Sequence, residues 1–173
     1  MSFHMRTDRI TNWLVVACLL ALPQSLKAQR VRPASPSDTV LFICEHGTVR
    51  SLIATLLFER YARQVGLHMT AVSRGTAIDS AVPPWLQRAL TTDHFTLGTW
   101  RPHTLAAADL ASARYVVSFD LPANVSASAR APRAQWDSLP SVSANYASGR
   151  DAIDTRVRRL VDSLQRARAT RRP

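Results

Sequence analysis

The stretch Val40-Leu41-Phe42-Ile43-Cys44-Glu45-His46-Gly47-Thr48-Val49-Arg50-Ser51 decides how this chain is read. Its β-branched and aromatic run predicts a buried strand that ends on Cys44. Leu52, Ile53, Leu56, Leu57 and Tyr61 then recur at helical spacing, which predicts an amphipathic helix from about Arg50 to Val65, stopped by Gly66. The cysteine therefore stands at the mouth of a helix, where unpaired backbone N–H groups and a partial positive charge favour a thiolate and a bound oxyanion. Glu45, His46, Gly47, Thr48 and Val49 are enough chain to arch around one tetrahedral anion, and Gly47 gives the backbone freedom to turn amides inward. Arg50 adds a planar fork for two of the anion's oxygens, and Ser51 can donate a hydrogen bond to the sulfur.

Upstream of that stretch the chain changes character. Arg6 and Arg9 precede the apolar run Trp13 to Leu22, and Leu26-Lys27-Ala28-Gln29 offers a small residue for cleavage. This is the three-part layout of a secretory signal peptide over residues 1–28, and the apolar run is too short for a membrane span. Lipidation at Cys18 and an uncleaved anchor are the alternative readings, and all three place the domain outside the cytoplasm. Residues 29–37, with Pro33 and Pro36 among polar neighbours, read as a flexible tether. With cleavage after Ala28 the mature chain keeps one cysteine, Cys44, and can form no internal disulfide.

The whole chain of 173 residues has room for one domain, and 46% apolar content suffices for an ordinary core. Its formal charge is +10; without residues 1–28, which hold Arg6, Arg9, Lys27 and Asp8, it is +8 and every basic side chain is arginine. Such a balance suits anionic substrates. The arginines are spread along the chain, apart from Arg156 to Arg159 and a basic tail over residues 169–173, so no nucleic-acid partner is expected. A membrane enters only if the signal segment is retained or lipidated.

Downstream, His68 to Arg74 alternates as a second strand, and Pro83 or Pro84 opens a second helix through Trp85, Leu86, Ala89 and Leu90. Ala106 to Ala111 is a short helical pattern, Arg114 to Asp120 a third buried strand, and Ala123 to Arg130 another short helix. Pro132 to Ser148 reads as a long loop, and Asp151 to Arg166 as a closing helix with Ile153, Val157, Leu160, Val161 and Leu164 on one face. Alternating strands and helices predict an α/β fold over residues 38–168, three layers with a small, about four-stranded parallel sheet and its ligand beyond the carboxyl ends of the strands.

Cys44-x5-Arg50-Ser51 after a strand, followed by a helix carrying Ala54, resembles the phosphate-binding loop of the low-molecular-weight protein tyrosine phosphatase and arsenate reductase family. The family's commoner loop has Gly-Asn where this chain has His46-Gly47, and often a second cysteine where it has Val49. Ser73-Arg74-Gly75-Thr76 is similar to the family's Ser-Ala-Gly-Thr turn, and Asp120-Leu121-Pro122 to its strand-end turn. Arg101 and His103, in the segment Thr96 to Leu105, are taken as surface residues.

The resemblance implies a phosphomonoester hydrolase, protein-tyrosine-phosphatase-like, that works through a cysteinyl-phosphate and needs no cofactor or metal. Cys44 is then the nucleophile, Arg50 and the amides of residues 45–50 hold the phosphate, and Ser51 supports the sulfur. The family's acid comes from an Asp-Pro in the long loop before the last helix, and this chain has no Asp-Pro. Asp137, the only carboxylate in that loop, takes its place as the expected proton donor, while Trp136 and Tyr146 are the expected aromatic walls for a phenyl ring. The substrate is a phosphorylated protein or a small phosphomonoester. The alternatives are an arsenate reductase served by an external thiol, and a non-catalytic oxyanion-binding module, kept open by Glu45 beside the nucleophile and by the missing Asp-Pro.

Overall fold

The computed structural model describes residues 38–170. The expected signal peptide and tether lie outside the described residues, as does the end of the basic tail. Strand β1 (Thr39–Cys44) leads through the loop to helix α1 (Arg50–Gln64), followed by β2 (Thr70–Gly75), α2 (Pro84–Thr92), α3 (Ala107–Ser112), β3 (Tyr115–Ser118), a 3-10 turn (Ala123–Ser126), β4 (Arg133–Gln135) and α4 (Tyr146–Ala169). The four strands are parallel in the order β2-β1-β3-β4. The strand that ends on Cys44 is thus interior, with Cys44 opposite Gly75 and Ile43 opposite Ser118.

Strand alternation divides β1 between two cores. Val40, Phe42 and Cys44 face the side built from α1, α2 and α4, while Leu41 and Ile43 face Leu110 of α3 together with Leu121 and Ala129. That gives the expected three layers. It also aims the Cys44 side chain at the N-terminus of α1, since Leu52, Ile53 and Ala54 of that helix share its core. Gly66 ends the first helical excursion at φ +66°, and Pro84 opens α2 in its first turn.

Two boundaries differ from expectation. The segment expected to be loop throughout contains β4, whose three residues Arg133, Ala134 and Gln135 pair with Val116, Val117 and Ser118. Their polar composition carries no strand signal, and tertiary pairing along the sheet edge makes the strand. Helix α4 starts five residues earlier than expected, at Tyr146, because Asn145 caps it by accepting the Ser148 N–H at 3.0 Å. Among the described residues no helix is long and apolar enough to cross a membrane.

Candidate active site

Beyond the carboxyl end of β1, residues 44–50 curl into a loop that a second segment holds in place. The loop after β2 runs alongside it: Thr76, Ala77 and Asp79 donate their N–H groups to the carbonyls of Cys44 (3.3 Å), Glu45 (2.8 Å) and His46 (3.3 Å). Side chains reinforce the seam. The hydroxyl of Thr48, fully buried, donates to Asp79 Oδ2 at 2.5 Å, and His46 Nδ1 lies 3.5 Å from Asp79 Oδ1 and 3.3 Å from the Ala77 carbonyl.

At the centre is Cys44 Sγ. The Gly47 N–H donates to it at 3.2 Å, and Ser51 Oγ lies 2.9 Å away. Ser73 of β2 sits behind, its hydroxyl 2.7 Å from Ser51 Oγ and 2.8 Å from the Gly47 carbonyl, with a single proton for both. When that proton turns to Ser51, the Ser51 proton is released toward the sulfur. Gly47 N–H and Ser51 O–H are then two donors on one sulfur at a helix N-terminus, an arrangement that stabilises negative charge there.

A pocket of about 250 Å³ opens over the sulfur, lined by Cys44, Glu45, His46, Val49 and Arg50 of the loop, Phe119 and Asp120 after β3, and Ser141, Val142 and Ser143 before α4. Arg50 is the first residue of α1 and its Nη1 donates to Asp120 Oδ2. The Glu45 side chain is 67% exposed, with its carboxylate toward His46, 3.8 Å from Nε2, so it does not press on the sulfur. A wider hollow of about 560 Å³, around Asp38, Ala62, Gly66 and Thr70, lies at the amino end of the strands and is lined by no cysteine.

The structure thus brings Cys44, Gly47, Ser51 and Arg50 together as the loop reading required, with Glu45, His46, Thr48 and Val49 around them. Three expected site residues lie elsewhere. Trp136 packs in the core, its ring 5.5 Å from Phe119 and 6.0 Å from Phe42, and it is not among the residues lining the pocket. Tyr146 donates its hydroxyl to Asp93 Oδ2 at 2.6 Å. Burial, with this hydrogen bond to a carboxylate, raises its pKa above the ordinary tyrosine range. Asp137 is not among the pocket-lining residues; its Oδ1 accepts the backbone N–H of Asp120 at 2.9 Å. The carboxylate that does line the pocket beside Arg50 is Asp120, which the sequence presented only as part of a turn.

Arg74, within the Ser-Arg-Gly-Thr turn, points away and pairs with Asp109 at 2.9 Å. Gly75 instead contributes close backbone contact with Gly47. Arg101 and His103 are exposed, as expected.

No curated protein matches the sequence. Among solved structures, the chain is similar to the thioredoxin-dependent arsenate reductase Cg_ArsC1' of Corynebacterium glutamicum, at 25% identity and a TM-score of 0.63 over 78% of this chain and 65% of that one. The chain therefore spans just under two thirds of that protein's length. It is also similar to the YwlE arginine phosphatase of Geobacillus stearothermophilus, at 18% identity and a TM-score of 0.65 over 78% of this chain and 97% of that one. A low molecular weight phosphotyrosine phosphatase of Vibrio cholerae O395, VcLMWPTP-2, shares the fold at 18% identity and a TM-score of 0.59, over 73% of this chain and 96% of that one. Residues 39–137, more than half of the chain and the stretch that includes the whole Cys44 to Arg50 loop, match the profile of one family, and the chain belongs to the low molecular weight phosphotyrosine protein phosphatases.

Proposed function

We propose that the protein is a cysteine-dependent phosphomonoester hydrolase. One observation carries this reading: a buried thiol at the N-terminus of α1 that receives the Gly47 N–H at 3.2 Å and has Ser51 Oγ at 2.9 Å, under a pocket that Arg50 also lines. In the proposed cycle the Cys44 thiolate attacks phosphorus, an S–P bond forms and the P–O bond to the leaving group breaks. Arg50 and the loop amides balance the charge on the remaining oxygens. Water then attacks phosphorus, releases inorganic phosphate and returns the thiolate.

The loop before α4 presents Ser141 and Ser143 to the pocket, not a carboxylic acid. With the Asp120 carboxylate engaged by Arg50, the departing oxygen is poorly assisted, and substrates whose leaving groups are stable as anions react best. Aryl phosphates meet that condition.

A second reading, arsenate reduction, uses the same oxyanion site and is favoured by the 25% identity to a thioredoxin-dependent arsenate reductase. Cys44 is the one cysteine among the described residues, so an external thiol must complete that reaction. The basic, apolar and small-residue order of residues 1–28 supports an exported enzyme, which cell fractionation tests.

The deciding experiment is hydrolysis of p-nitrophenyl phosphate by wild type and Cys44→Ser, beside thiol-dependent arsenate turnover. Hydrolysis abolished in Cys44→Ser supports the phosphatase. Full activity in that variant refutes both enzymatic readings, and arsenate turnover alone favours the second.

A further inference from the structure

Asp120 holds φ +46° and Ser138 φ +57°, a left-handed conformation that side chains other than glycine rarely adopt. The two strained turns, one after β3 and one after β4, are bonded to each other from both sides. Asp120 donates its N–H to Asp137 Oδ1 at 2.9 Å, and Ser138 donates its N–H to Asp120 Oδ1 at 3.0 Å. The second carboxylate oxygen, Asp120 Oδ2, accepts from Arg50 Nη1. Each oxygen of Asp120 thus has its own partner, and its backbone has a third.

We propose that Asp137 is a positioning residue for oxyanion capture: by clasping the Asp120 backbone it sets the carboxylate that orients the Arg50 guanidinium. This rests on the reading above, in which Arg50 grips the substrate's oxygens. The physical need is plain. Arginine is long and flexible, its side chain here is 27% exposed, and a planar two-point grip works only if the plane is fixed beforehand. Asp120 alone cannot fix it, because a residue at φ +46° relaxes unless its neighbours hold it there. Asp137 and the Ser138 amide supply that hold, and they come from the one loop that also reaches the pocket through Ser141, Val142 and Ser143.

This role separates cleanly from that of a proton donor. An acid removed from the leaving group costs more rate as the leaving group becomes more basic and leaves phosphate binding alone. A lost clamp weakens oxyanion binding and lowers kcat/KM by one factor for every leaving group.

The test uses the full chain as wild type, Asp137→Ala, Asp137→Asn and Asp120→Asn. Two readouts apply: protection of Cys44 from iodoacetate by inorganic phosphate or vanadate, and kcat/KM on aryl phosphates of graded leaving-group basicity. Asp137→Ala is expected to weaken protection about tenfold and to lower kcat/KM equally across the series. Asp137→Asn keeps an acceptor oxygen and is expected to stay within about threefold of wild type. Asp120→Asn tolerates the left-handed turn and is expected to weaken protection as Asp137→Ala does; if the alanine variant does not fold, Asp137→Ser, too short to reach the Asp120 N–H, takes its place.

Unchanged protection in Asp137→Ala or in Asp120→Asn overturns the proposal, as does a loss that grows with leaving-group basicity. A wild type that is protected by phosphate but hydrolyses nothing refutes only the hydrolase reading. A wild type that phosphate does not protect overturns both.

Discussion

Gly47 and Gly75 meet backbone to backbone: a Cβ on Gly47 would stand 2.9 Å from the Gly75 nitrogen, and one on Gly75 would stand 2.8 Å from the Gly47 nitrogen. The loop around the thiol is therefore pressed directly on the end of β2, with no side chain able to swing aside. Gly47 also holds φ +68°. Gly47→Ala is expected to lose about 2 kcal/mol of stability from backbone strain, with more from the clash, and at least tenfold in phosphate affinity (~1.4 kcal/mol per factor of ten). Gly66→Ala is the control: at φ +66°, with nothing within 4 Å of its added carbon, it should lose stability and leave phosphate affinity unchanged. Thermal unfolding and phosphate protection of Cys44 check both.

Ser51 supports the sulfur, and its influence should fall on the step in which sulfur leaves phosphorus. Ser51→Ala removes the hydroxyl 2.9 Å from Cys44 Sγ and leaves the Ser73 hydroxyl bonded to the Gly47 carbonyl alone. Turnover is expected to fall about tenfold. Breakdown of the cysteinyl-phosphate becomes slower relative to its formation, so stopped-flow hydrolysis of p-nitrophenyl phosphate should show a larger burst, relative to the steady state, than the wild type does.

Trp136 belongs to the core, where Phe42, Phe119 and its own indole stack edge to face and tilted. Trp136→Ala is expected to destabilise the fold by about 3–5 kcal/mol, the usual effect of removing a large buried aromatic side chain. Denaturant unfolding measures it. A role as a substrate wall would instead raise KM for aryl phosphates at unchanged stability.

Tyr146 ties the start of α4 to Asp93 at the end of α2, beside Arg150, whose Nε lies 3.4 Å from the same carboxylate oxygen. Tyr146→Phe should lose about 1 kcal/mol at pH 7 without changing activity. The pH dependence has a definite sign. Burial and the Asp93 carboxylate raise the folded-state pKa above the ordinary value of about 10, so the contribution is complete below that value. It is lost as pH climbs from there through the folded-state pKa, because the unfolded chain ionises first. The stability gap between wild type and Tyr146→Phe, from denaturant unfolding at stepped pH, should therefore narrow only above about pH 10.

Val40 to Ser51 was legible because its signals are local: an apolar run, a glycine, an arginine and a helical periodicity in unbroken order. The rest depended on partners distant in the chain. Arg133-Ala134-Gln135 becomes a strand only because β3 offers it an edge. Asp120 reads as a turn residue, and enters the site because the parallel register of β1 and β3 sets Ile43 opposite Ser118 and brings the two strand ends side by side. Trp136 and Asp137, adjacent in sequence, part company in space. A loop rich in Pro and Ser gives no periodicity from which to tell the inward residue from the outward one.

The strand order has one more consequence. Because β1 lies between β2 and β3, the thiol loop leans on Ser73 and Gly75 from one neighbour and, through Arg50, on Asp120 from the other. Those supports arrive from positions some 22 to 70 residues downstream of the residues they meet. During synthesis the first fifty residues emerge long before their buttresses, so the cradle for the anion has nothing to lean on until most of the sheet is assembled. The proposed anion site is then a property the nascent chain acquires late, and the Cys44 sulfur stays unsheltered until it does.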